Sequence, residues 1–106
     1  MGKYLVTASY TAEGAKGLIA DGGTARRKAV DALAASVGGT IEAFYYCFGG
    51  NDIVLIADAP NDEAMAAICM TVGASGGASC ETTVLLSPAQ IDAATKLSPA
   101  YRPPGS

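Results

Sequence analysis

Residues 52–58 read DIVLIAD, an unbroken apolar run held between two aspartates. A strand this apolar has no side to spare for water, so it belongs at the centre of a sheet, covered on both faces. Just before it, Gly49-Gly50-Asn51 is a short connection of the kind that closes a hairpin. The segment Thr40–Phe48 alternates: Ile41, Ala43, Tyr45 and Cys47 share one face, and Glu42, Phe44, Tyr46 and Phe48 share the other. Two neighbouring antiparallel strands are therefore expected in the middle of the chain.

The remaining elements arrange themselves around that pair. Residues 3–10 alternate, with Tyr4, Val6, Ala8 and Tyr10 opposite Lys3, Leu5, Thr7 and Ser9. Thr11 can cap a helix over AEGAKGLIAD, which Gly14 and Gly17 weaken. Thr24 is expected to cap a second helical run from Ala25 to about Val37, with Ala29, Val30, Leu33, Ala34 and Val37 on one face. Asn61 caps a helix that continues from Ala64 to about Val72, and CETTVLL is a fourth strand. Ser87-Pro88-Ala89-Gln90 is a capping-box sequence with proline at the first helical position, opening a helix to about Leu97.

This order predicts an α+β domain, a ferredoxin-like βαββαβ sandwich with an extra C-terminal helix, over residues 1–97. Residues 98–106 are a proline-rich tail. The face of the sheet away from the helices would show Lys3, Thr7, Ser9, Glu42, Phe44, Tyr46, Phe48, Glu81 and Thr83. Aromatics in a row on an open sheet predict a partner, here a second copy of the chain.

Charge and composition narrow the function. Seven Lys plus Arg against ten Asp plus Glu give a net charge of −3, which argues against nucleic acid as a partner. No apolar run approaches a membrane span, and MGKYLVTASY is a poor signal peptide, so a cytoplasmic protein without membrane contact is expected. The three cysteines, Cys47, Cys69 and Cys80, are odd in number and dispersed, which fits a reducing compartment better than a disulfide framework. Histidine is absent, which removes the commonest general base and the commonest metal ligand. Neither a cofactor nor a metal is expected.

Three stretches hold the candidate site residues. YYCFGGND, residues 45–52, reads first as a strand and a turn, with Asp52 bonding back to turn amides. Its functional reading places Tyr45, or the tyrosines of the first strand, Tyr4 and Tyr10, in a small pocket between sheet and helices. GGTARRK, residues 22–28, puts Thr24, Arg26 and Arg27 at a helix start, where free amides and guanidinium groups suit a carboxylate or phosphate. Against this stands a solvated charge cluster, or arginines paired with acids such as Asp21 or Glu13. Met65 and Cys69 share a helix face, a soft-metal pattern, but with no second thiol near in sequence they read as core.

The chain resembles the GYD domain family. The resemblance rests on YTAEG (10–14), GGTARR (22–27), GGTIEAFYYCFGGNDIVLIADAPND (38–62) and, more weakly, TTVLLSPAQIDAATK (82–96). It implies a dimeric α/β-barrel type of fold and a bacterial source, and no particular activity. In the Gly-Tyr-Asp pattern that names the family, Gly49 and Asp52 match while Asn51 stands at the tyrosine position. The expected function is a homo-oligomer that binds a small anionic metabolite. The alternatives are an acid–base enzyme using tyrosine or carboxylate, and an accessory subunit without a ligand.

Overall fold

A computed structural model of the chain describes residues 2–47 and 49–106. In chain order the elements are β1 (Gly2–Tyr10), α1 (Ala12–Asp21), α2 (Gly23–Ala35), β2 (Thr40–Tyr46), β3 (Ile53–Ala59), α3 (Asp62–Ser75), β4 (Ala78–Leu85) and α4 (Pro88–Thr95). The strands form one open sheet in the order β2-β3-β1-β4, with every neighbouring pair antiparallel. The architecture is thus α+β, with four strands and four helices among the described residues. None of these helices is long and apolar enough to cross a membrane.

Alternation in β1 and β3 builds the core. Tyr4, Val6 and Ala8 from β1 and Ile53, Leu55, Ala57 and Ala59 from β3 are buried together, and Met65 of α3 joins them. β3 lies inside the sheet, as its composition requires, but it is covered on one side only: Val54, Ile56 and Asp58 on the other face are half-buried. On that open face β1 contributes Leu5, and β4 contributes Leu85.

Local signals place most of the helices. The Thr11 hydroxyl accepts from the Gly14 N–H at 3.2 Å and donates to the Gly76 carbonyl at 2.7 Å, tying the start of α1 to the end of α3. Gly14 is needed there, because a Cβ would run into the Gly77 carbonyl. Asn61 caps α3 through the Ala64 N–H at 2.9 Å, and Gly76, at φ 77°, ends it past the expected Val72. Ser87 and Gln90 form the expected capping box of α4, which stops at Thr95 rather than near Leu97. Thr24 does not cap α2. The backbone turns on Gly22, at φ 83°, which closes α1 and opens α2 at once, so Thr24 sits exposed in the first helical turn without a cap bond.

The largest departure from expectation is in β2. Ile41 pairs with Ala57, but Ala43 pairs with Ile56, so Glu42 is an extra residue, a β-bulge. Because side chains alternate strictly, one inserted residue moves everything after it to the opposite face. Phe44 and Tyr46 therefore pair with Leu55 and Ile53 on the helix side, while Ala43 and Tyr45 go to the open side. The aromatic patch expected from Phe44 and Tyr46 is absent from the open face, which carries Leu5, Val54, Ile56, Leu85 and Tyr45 instead. Phe48 lies outside the described residues. The hairpin is also longer than a three-residue closure: β2 ends at Tyr46 and β3 begins at Ile53, with the Cys47 N–H donating to the Asp52 carbonyl at 2.9 Å.

Candidate functional site

α2 packs over β2, and α3 packs over β4. Between the two helices, above β3 and β1, lies a cavity of about 130 Å³. Small side chains leave this space open: Ala8, Ala57 and Ala78 rise from the sheet, and Ala29 and Ala34 face them from α2. Larger aliphatic groups such as Val30, Leu33 and Ile68 complete an apolar wall. An apolar cavity close to this size holds a benzene-sized molecule in other proteins.

Few polar groups meet the cavity. One is Arg26, half-buried in α2, whose guanidinium makes no hydrogen bond or salt bridge among the described residues. Another is Tyr10, at the end of β1, where the cavity meets a shallower outer depression shared with Tyr46, Gly23 and Asp52. Asp52 sets the position of Tyr10 by accepting its backbone N–H at 2.7 Å, and the Asp52 N–H donates to the Ala8 carbonyl at 2.8 Å. The Tyr46 hydroxyl donates to the Gly23 carbonyl at 2.9 Å and so holds β2 against the start of α2. Burial, and then the neighbouring Tyr10, push the Tyr46 phenol above its usual range, while Arg26 draws it down. Arg26 and Tyr10 therefore both stand within electrostatic reach of Tyr46.

Of the polar residues singled out from sequence, only Tyr10 and Arg26 come together at the cavity; Met65 lines it as well. Arg27 is engaged elsewhere: its Nε lies 3.1 Å from Asp31 Oδ1, and its guanidinium sits 5.4 Å from the centre of the Phe44 ring. Its acidic partner is thus Asp31, one helical turn on, and neither Asp21 nor Glu13. Thr24 reaches no part of the cavity. Tyr45 is 69% exposed on the open face of the sheet, because the bulge at Glu42 turns it away from the helices. The Asp52 carboxylate accepts from the Tyr10 N–H of β1 and, among the described residues, from no turn amide. Tyr46 was missed as a site residue because strict alternation places it on the wrong side.

A small sandwich of helices on one face of an open antiparallel sheet, with an alanine-walled cavity opening beside one arginine and one tyrosine, defines a compact ligand-sized α+β domain. The chain belongs to the GYD domain family, whose model matches residues 4–95. No curated protein matches it. No solved structure does either.

Proposed function

We propose that this domain binds a small anion with an apolar body, taking the body into the cavity and the charge at Arg26. The observation that carries the reading is a guanidinium without a protein partner among the described residues at the rim of an otherwise apolar cavity. A half-buried cation gains most from a carboxylate, which it can hold through two parallel hydrogen bonds. Tyr10 lines the same cavity and carries a hydroxyl. The alanine walls favour a compact hydrocarbon group over a sugar or a nucleotide, whose hydroxyls would go unpaired there. The strand order and the half-buried Leu5, Val54 and Ile56 support a ferredoxin-like, dimeric α/β-barrel type of assembly in which two open faces meet. Three free thiols suit a reducing, cytoplasmic setting.

Thermal unfolding with small carboxylates, benzoate first, tests the binding reading. Benzoate should raise the melting temperature of the native protein and of Arg27→Ala, but not of Arg26→Ala. A ligand at 100 times its Kd adds about 2.7 kcal/mol, enough for a shift of several degrees. No response from any small carboxylate, or an equal response in Arg26→Ala, would remove the site.

A further inference from the structure

The groove between α3 and β4 brings together sulfur atoms that the sequence keeps apart. Cys69 of α3 and Cys80 of β4 both line it, with Met65 and Thr82. Met65 stands one helical turn before Cys69, on the same face, and is 3% exposed. The Cys69 thiol lies 3.1 Å from the Thr82 Oγ1. Two cysteines and a methionine thus line one partly open space, each held by regular secondary structure.

We propose that Cys69, Cys80 and Met65 form a binding site for a soft monovalent cation, the cuprous ion. Thiolate and thioether donors select copper(I), which accepts two or three sulfur ligands without needing a fourth. Zinc is a poorer fit, because it closes a tetrahedron of nitrogen, sulfur or oxygen donors. Among the described residues no group of three or more His, Cys, Asp or Glu is placed to hold a metal. Asp62 borders the same groove, but its Oδ1 already accepts the Tyr4 hydroxyl at 2.6 Å. Burial first, and then the adjacent Cys69, hold the Cys80 thiol up to about 11, so the two thiols lie within interaction distance of each other. Binding replaces two S–H bonds by two S–Cu bonds and releases two protons to solvent. Copper stays cuprous and no electron moves.

Cys47 supplies an internal control. It lies in the hairpin, with its Sγ 3.2 Å from the Asn51 carbonyl, far along the chain from the groove. The reduced full-length protein would be titrated anaerobically with copper(I) held by a competing chromogenic chelator. One ion per chain should be withdrawn from the chelator. Cys69→Ser and Cys80→Ser should each lower the affinity at least tenfold, while Cys47→Ser changes nothing. Met65→Leu should weaken binding by a smaller factor. If a serine variant fails to fold, alkylation of the native protein, read by mass spectrometry, decides the matter. Copper(I) should then protect Cys69 and Cys80 but leave Cys47 reactive. No withdrawal from the chelator, binding that follows Cys47, or equal protection of all three thiols would overturn the site.

Discussion

At the scale of single residues, what a side chain can do depends on which partners the fold leaves it. Arg26 and Arg27 are adjacent in sequence and chemically identical, yet one is spent on Asp31 and the Phe44 ring while the other faces a cavity. Tyr4 shows the same dependence. Its hydroxyl donates to Asp62 across the interface between β1 and α3, and that bond, then burial, then the charges of Asp62 and Glu63, push the phenol up to about 12. The neutral phenol is the form that the fold favours. Its contribution to stability is therefore complete below the ordinary value of 10.0 and disappears as pH rises toward about 12. Tyr4→Phe should be less stable than the native protein at neutral pH, and the gap should close across that alkaline window. Urea midpoints for both proteins at several pH values check this. Lys3, Tyr46 and Cys80 are shifted upward too, but their losses are common to both chains and cancel in the difference. Parallel curves would mean that the Tyr4–Asp62 bond contributes nothing to stability.

At the scale of elements, the sequence was legible wherever the signal was local. The caps at Thr11, Asn61 and Ser87, the central position of DIVLIAD and the alternation of β1 all follow from a few adjacent residues. The cap of α2 was misread because Gly22 serves two helices at once, and no single-helix pattern announces that. The bulge was invisible for a different reason. TIEAFYYC alternates acceptably in either register, and only pairing with β3 shows that Glu42 is the extra residue. Its side chain has a use there: the carboxylate meets Lys3 at 2.8 Å on the open face, and Lys3 also reaches Asp58 at 3.0 Å. The candidate site inherited that error through Tyr45 and Tyr46, and the thiol pair stayed hidden because only the packing of α3 on β4 brings Cys69 to Cys80. The flipped register makes a sharp prediction. Phe44→Ala should cost about 2 kcal/mol or more, somewhat below a fully buried phenylalanine, at every protein concentration. Tyr45→Ala should change only the part of stability that depends on concentration, since its ring touches the core nowhere. Denaturant melts at low and high protein concentration would separate the two. A concentration-independent loss in Tyr45→Ala larger than that in Phe44→Ala would restore the unbulged strand.

At the scale of the whole molecule, the chain is longer than its core requires. The Cα radius of gyration is 17.0 Å and the extents are 58 × 32 × 23 Å. A compact chain of this length would have a radius near 13 Å. The excess lies at the C-terminal end, where every residue from Leu86 to Ser106 is exposed. Yet α4 is a well-made helix, with a complete capping box, and the segment carries Leu86, Ile91, Leu97 and Tyr101 in the open. Ordered apolar groups with no cover in their own chain call for cover elsewhere, and the half-buried Leu5, Val54, Ile56 and Leu85 on the open sheet face have the same need. If two copies join through their sheets, as proposed above, the C-terminal arm of each is free to lie along the other and add apolar area to the contact. A chain ending at Ser87 should therefore keep its fold, because nothing it loses is buried, but should dissociate at concentrations where the full chain stays associated. Light scattering coupled to size exclusion, run over a range of micromolar loadings, reads this directly. Equal masses for the two chains would release the arm from the interface, and a full-length monomer throughout would remove the interface itself.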